Sequence, residues 1–499
     1  MNSDDITYSN FFEPDYSNTI SLKDKGFYKD IYLYYIKGGF YNIILGDIIE
    51  ILSLIFSILF ILGTFLFLDW ENIILCGKMY DKNDKTIKDC GDISDYLTYK
   101  YIVVPNFFQG LILTFVSGII VYVVYKFVYL LFEWSKFYKI DRYYVNTLNI
   151  PRNYLHSKSW EDIILLVSNY NNVSFDDITN IILKKENFFV SFIDNNIFKI
   201  SNEYFTRQLE YNLYYGFDPS SLINKDTGYI RKKLFILSAL NIIFSPFIMM
   251  YIITSFIFSN IDELYINKKV LGPRRYTPYF KWKIRQYNEL EHYFQERVNM
   301  SIKYANEYTR QFPSIMLENI SKFTAFISGA FIFLFLVFSI FDENILLYVK
   351  FMDRSLIFYT GVIGSISAVA RGFIKEPENS IYDPNKVMEK ISKYTLYLPN
   401  TWKDNANNIV VRNEFLCFFN YILVIFFYEI LGIIRTPYML FLISKESKNI
   451  ENFIKHNIIY KKNIGSICAS ADFKNKSNNS EKLSSSIMSF SDTYKSWHN

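Results

Sequence analysis

Long apolar runs alternate with polar stretches along this chain, and their lengths carry the first structural information. The run Ile51–Leu68 (ILSLIFSILFILGTFLFL) holds no charge and stops at Asp69-Trp70. At about 1.5 Å of rise per residue it nearly crosses a hydrocarbon layer of roughly 30 Å, and Ile43–Leu45 can extend it. A second run, Ile102–Leu131, is interrupted only by Gln109 and by Lys126, whose amine can snorkel to the interface. A third covers Phe323–Phe341, and a fourth, Leu356–Ala370, is short and closes at Arg371. These runs predict membrane-spanning helices over about 45–68, 103–130, 321–341 and 354–372. Within the fourth, Gly361, Gly364, Ser365, Ala368 and Gly372 give small-xxx-small spacings that let helices approach closely in lipid. That spacing serves packing within one subunit as well as it serves a seam between subunits.

Two further apolar stretches carry interruptions. Residues 234–258 contain Asn241 and Pro246, and residues 415–443 contain Glu429, Gly432, Arg435 and Pro437. Ionisable groups such as Glu429 and Arg435 seldom face lipid, because each costs about 2.5–3.5 kcal/mol on insertion scales. A loosened backbone at that depth is tolerated only under protein or water. Both stretches are expected to be re-entrant or partly embedded, with plain spans as the alternative. The expected fold is an all-α membrane protein with four transmembrane helices, two re-entrant helices and a helical cytosolic layer.

Charge placement orients this arrangement. The loop 69–102 is acid-rich, and the loop 342–353 sets three acids against Lys350. Residues 260–320 carry ten bases and seven acids, and Lys136, Lys139 and Arg142 follow the second run. By the positive-inside rule both termini and the regions 132–233 and 260–320 are cytosolic, and the two acidic loops are lumenal. The chain thus divides into a short tail (1–42), an integrated membrane core (43–462) and a C-terminal linker with a docking tail (463–499). Asn463–Lys482 reads as a flexible linker, and Ile487, Met488, Phe490 and Trp497 can bring the end back onto the core.

Composition then narrows the function classes. The 499 residues are 51% hydrophobic and 20% charged, with a net charge of +4 that does not suggest a nucleic-acid binder. Much of the 19% aromatic content fits an AT-biased coding sequence and carries little weight. Four cysteines exclude a disulfide-stapled scaffold. Cys76 and Cys90 share the loop assigned to the lumen, where a disulfide or two unpaired thiols are equally open readings. The four histidines lie without ligand partners at metal spacing, and no phosphate-binding loop, zinc-protease motif or serine elbow is present. No cofactor is expected, and no enzyme chemistry. What remains is a passive membrane function.

After Pro278 the pattern predicts a long helix, with Phe280, Ile284, Tyr287, Phe294 and Val298 on one face. On it Asn288 and His292 stand four apart, as a polar lining for phosphate head groups or as part of a salt-bridged cytosolic helix. The stretch Leu271–Asn299 (LGPRRYTPYFKWKIRQYNELEHYFQERVN) resembles the core of the autophagy-related protein 9 family. Tyr204-Phe205-Thr206-Arg207, Asn241 with Pro246, Arg371-Gly372-Phe373-Ile374, Leu398–Ala406, Arg412-Asn413-Glu414-Phe415, Thr436-Pro437 and Met488-Ser489-Phe490 fit the same family in order.

The resemblance implies a homotrimer of domain-swapped subunits that scrambles phospholipids without ATP during autophagosome membrane expansion. It places the chain in Golgi- or endosome-derived vesicles and preautophagosomal membranes, with a lipid-transfer protein as partner and no nucleic acid. Carried over by position, Lys268, Lys269, Arg274 and Arg275 would line a lateral lipid route and Arg371 a central pore. Glu289, Glu291, His292 and Arg297 would form the polar wall or its support, beside Asn288. The alternative is a scaffold that moves no lipid but seeds membranes and recruits lipid-transfer proteins. Relatives commonly carry longer terminal extensions, which puts regulation and sorting outside what the resemblance implies.

Overall fold

The structure is a computed structural model that describes residues 26–81, 92–98, 106–216, 228–266, 273–312, 315–341, 343–352, 354–374, 382–461, 465–474 and 481–495. The chain forms two compact units, Met1–Ile178 and Thr179–Asn499. It is an all-α membrane protein whose described strands pair only as short two-stranded ribbons.

In the first unit, helix α1 (Phe27–Ile36) turns sharply into α2 (Phe40–Leu62) through Gly38 and Gly39, at φ of 74° and 96°. A Cβ on Gly38 would press on the side-chain ends of Asn42 and His156 at 2.8 Å, and its positive φ favours glycine in any case. Helix α3 (Phe107–Arg142) begins with a capping box in which the Asn106 N–H donates to Gln109 Oε1 at 2.9 Å. Gln109 therefore starts this helix rather than interrupting it. Lys126 meets Glu50 of α2 at 2.9 Å, so its amine is paired across two apolar helices instead of reaching to the interface alone. At the polar end of α3, Asp141 is buried, accepts from Tyr34 at 2.6 Å and pairs with Arg152. Helix α4 (Trp160–Asn171) is capped by Ser159 and buries Trp160, Ile163, Ile164 and Val167, as its spacing predicts.

The second unit opens with α5 (Lys184–Asp194), whose residues Asn187–Ile193 are all buried. Then come α6 (Arg207–Gly216) and the apolar α7 (Gly228–Ile266). Strand β1 (Arg274–Tyr276) leads into α8 (Pro278–Ile284), which starts with a Thr277 cap and Pro278 in its first turn. Helix α9 (Glu291–Arg310) packs on α12 (Pro384–Thr395), while α10 (Ile315–Phe341) and α11 (Leu356–Phe373) run along each other. Helix α13 (Ile409–Phe418), strand β2 (Phe419–Tyr421) and α14 (Ile422–Lys445) follow without a gap. Tyr276, Phe280, Phe294, Tyr308, Trp402 and Phe415 centre the core that joins β1, α8, α9, α12 and α13.

Among the described residues, five helices are long and apolar enough to cross a membrane: Phe40–Phe67, Gln109–Thr147, Gly228–Phe256, Glu318–Phe341 and Ile422–Lys445. Leu356–Arg371 is a shorter apolar helix. The interruptions in 234–258 do not break α7. Pro246 cannot donate to the Ile242 carbonyl, and Ser245 Oγ donates to it instead at 2.9 Å. Asn241 exchanges amide hydrogen bonds with Asn212 of α6 at 2.8 and 3.2 Å. In 415–443 the break falls at β2, ahead of the ionisable residues, and α14 runs unbroken through Pro437. Helices α7 and α14 pack together, Ser238 donating to the Pro437 carbonyl at 2.7 Å and Phe256 stacking on Phe426.

Two expectations are corrected outside the apolar helices. The helix after Pro278 ends at Ile284, and a new one begins at Glu291. Between them Asn288 adopts φ 56°, the left-handed region that ends helices. Within the expected linker, residues 465–468 form a strand (β4, Gly465–Cys468) against β3 (Ile458–Lys461), following α15 (Ser447–His456). Ile467 and Cys468 are buried there, which holds this stretch on the core. Beyond it, α16 (Glu481–Thr493) docks with Leu483, Ser486 and Phe490 buried.

Candidate functional site

Three stretches distant in sequence meet around a cavity of about 190 Å³ whose walls carry polar side chains. The turn Asn202–Thr206 precedes α6, and Thr277 and Pro278 start α8. Asn413, Leu416 and Cys417 come from α13, and Asn420 from β2. Ile425, Tyr428 and Glu429 come from the first two turns of α14. Hydrogen bonds hold these walls together. Thr277 Oγ1 donates to Asn202 Oδ1 at 2.6 Å, the Thr277 N–H to the Phe418 carbonyl at 2.9 Å, and Asn202 Nδ2 to the Cys417 carbonyl. Gly432 lets α14 approach the turn, since a Cβ there would lie 2.4 Å from the Thr206 methyl.

Glu429 is buried, and both its oxygens accept from the backbone N–H of Arg207, at 2.9 and 3.2 Å. That N–H is the first of α6, so the carboxylate sits at a helix N-terminus, where the exposed peptide dipoles favour negative charge. An acid inside an apolar helix thus meets the start of a neighbouring helix.

Several cations border these elements. Arg275 is exposed and stands opposite the cavity-lining Asn420 in the β1–β2 ladder. Arg274 lies over the Tyr421 ring at 4.3 Å, and Arg435, exposed on α14, over Tyr204 at 5.7 Å. Burial pushes the Lys281 amine down from its ordinary value, and the charges of Arg207 and Arg275 push it the same way.

The other site candidates gather around the turn between α8 and α9. Arg297 holds Glu289 with two hydrogen bonds of 2.7 and 2.8 Å and also donates to the Ile284 and Tyr394 carbonyls. Asn288 is buried between Asn187 and the Ala471 carbonyl. Glu291 pairs with Arg285 at 2.9 Å. Burial holds His292 down at about 4, with Glu291 pulling it weakly the other way. These five residues brace the turn between α8 and α9; none of them lines the cavity. Arg371 is exposed in the last turn of α11 and does not line it either. Lys268, Lys269, Cys90 and the side chain of Cys76 lie outside the described residues.

Sequence reasoning identified Glu429 as an embedded acid but not its companions. Asn202, Thr277, Asn413 and Asn420 lie as far as 218 residues from one another, and nothing local announces their meeting. The signal available was that Thr206-Arg207 and Asn413 belong to segments carrying the family resemblance.

Comparison with known proteins agrees with this architecture. The family profile described as Autophagy protein ATG9 matches residues 21–474. Autophagy-related protein 9 of Dictyostelium discoideum is 28% identical over 480 residues, covering 90% of this chain and 66% of the relative. The Saccharomyces cerevisiae protein of the same name (strain S288c) is 27% identical, covering 94% of this chain and 51% of the relative. The chain therefore spans about half to two thirds of the length of these relatives. The cryo-EM structure of Schizosaccharomyces pombe Atg9 superposes with a TM-score of 0.62 at 25% identity, covering 91% of this chain and 99% of that one. With a matched segment that takes in the apolar helices and the whole cavity, this chain belongs to the autophagy protein ATG9 family.

Proposed function

We propose that this chain is an ATP-independent phospholipid scramblase of autophagy-related membranes, acting as a homotrimer of domain-swapped subunits. Its membrane core would comprise four full spans and two helices, α7 and α14, that enter without crossing. Both termini would face the cytosol of Golgi- or endosome-derived vesicles and preautophagosomal membranes. A lipid-transfer protein would supply or remove the lipid.

The observation that carries this reading is a cavity at the start of an apolar helix, with a buried carboxylate in its wall that accepts from Arg207, and Arg275 opposite the lining Asn420. A phosphate head group cannot enter hydrocarbon without losing its hydration, and that loss sets the barrier to flipping. Water and fixed charges along a groove replace hydration while the acyl chains remain in lipid. Several weak cationic contacts suit passage better than one tight site, because a bound head group must leave again. The activity makes and breaks no covalent bond, so the proposed protein is not an enzyme.

Reconstitution tests this directly. Purified protein in liposomes should expose inner-leaflet fluorescent phospholipid to a membrane-impermeant quencher with no ATP present, and exposure equal to protein-free liposomes would refute it. Replacing Lys268, Lys269, Arg274 and Arg275 with Leu should slow exposure while the oligomer survives. Full autophagy function in cells carrying a scrambling-dead variant would favour the scaffold role instead.

A further inference from the structure

Among the described residues, the charged groups lining the cavity are both acidic, Glu203 and Glu429. Glu429 is 7% exposed, and its two oxygens share a single donor, the Arg207 N–H. An ionised carboxylate has acceptor sites for about four hydrogen bonds, so most of its capacity is left for the cavity it lines. Phe205 and Tyr428 add aromatic surface to the same walls. Carboxylates beside aromatic rings are the surroundings that favour an alkylammonium group, through charge and through the negative ring faces. The 190 Å³ volume has room for it, since a cavity of about 150 Å³ already takes a guest the size of benzene. Next to the lining residues in the backbone are two exposed arginines, Arg207, bonded through its N–H to Glu429, and Arg275, opposite Asn420 in the β1–β2 ladder.

An acidic pocket with a cationic rim matches a ligand whose cation and anion are joined by a short linker. We propose that the cavity receives the ammonium end of a zwitterionic phospholipid head group, phosphocholine or phosphoethanolamine, while Arg207 and Arg275 face its phosphate. This assignment deepens the scramblase reading and rests on it for the lipid's passage, but not for its binding. A head group that lacks an amine, such as phosphoglycerol, would meet the same rim and then two carboxylates with nothing to offer them.

Cys417 is exposed and lines the cavity, so its alkylation reports occupancy without any transport. The whole protein in detergent would be treated with a maleimide in the presence of dihexanoyl-phosphatidylcholine, dihexanoyl-phosphatidylglycerol or free phosphocholine. Modified Cys417 would be quantified by peptide mass spectrometry. We expect the choline lipid to protect Cys417 at concentrations roughly tenfold lower than the glycerol lipid does, the scale of one charge-assisted contact. Glu429→Gln should remove that difference. Equal protection by the two lipids overturns the proposal, as does choline-specific protection that survives both Glu429→Gln and Glu203→Gln. If free phosphocholine protects as well as the lipid, the site belongs to a soluble ligand and the lipid assignment falls. Should Glu429→Gln fail to fold, the exposed Glu203→Gln carries the same comparison. Head-group-specific protection in a protein that scrambles nothing would uphold the site and overturn the transport reading.

Discussion

Gly432 stands one turn beyond Glu429 and faces Thr206, and no larger residue fits there without moving α14 or the turn. The Thr206 atoms nearest a new Cβ belong to a β-branched side chain with little freedom to swing away. Gly432→Ala should therefore cost about 1–3 kcal/mol, the usual range for overpacking. A thermal melt of the detergent-solubilised protein would show it as a lowered midpoint. His292 gives a pH signature of a different kind. Its folded value of about 4 lies below the ordinary 6.5, so between those limits the unfolded chain binds more protons than the folded one. Stability then falls as pH drops from about 6.5 to about 4, and the contribution is constant below that window. Wild type should lose stability relative to His292→Gln across that window, and parallel melting curves at every pH would contradict it. The sequence marked both residues, Gly432 as a helix interruption and His292 as polar lining. It could not show that one serves close packing and the other sits half-buried in a brace, because both roles depend on segments far along the chain.

At the level of elements, the apolar helices were legible, while the partners of their polar interruptions were not. Period and length alone locate the charge-free runs, and the structure returns helices over them. Asn241 and Pro246 read locally as a break, yet the Ser245 hydroxyl and the Asn212 amide satisfy what they disturb. The turn at 285–290 was missed for the opposite reason. Its apolar residues keep helical spacing, while a buried amide network holds Asn288 in a left-handed conformation that periodicity does not register. Contact between α7 and α14 is testable through Ser238, whose hydroxyl crosses to the Pro437 carbonyl. Side-chain hydrogen bonds between membrane helices average about 0.6 kcal/mol and reach about 1.7. Ser238→Ala should destabilise within that range, and urea or SDS unfolding of the purified variant would measure it.

For the molecule as a whole, much apolar surface has no cover within one chain. Phe326, Phe333 and Ile340 of α10 are largely exposed, and a Cβ on Gly361 or Gly364 of α11 would meet nothing within 4 Å. Lipid can cover the bulky side chains, whereas a small-residue face suits the backbone of another helix. If subunits meet there, as the proposed trimer allows, Gly361→Leu with Gly364→Leu should leave the single chain folded and lower the assembled mass in mild detergent. Mass photometry would read that change, and an unaltered mass would place the seam elsewhere.

The Asn288 amide also has a consequence for how the protein is made. It is satisfied only when Asn187, 101 residues earlier, and Ala471, 183 residues later, have both arrived. Translation at about 5–20 residues per second leaves roughly 10–40 s between the emergence of Asn288 and that of Ala471. Helices α10, α11 and α14 leave the ribosome during that interval, so they meet the bilayer before the amide can be closed. Final consolidation of the polar layer is therefore post-insertional, and a nascent chain stalled ahead of Ala471 would hold its hydrophobic helices beneath a layer still open to chaperones and proteases.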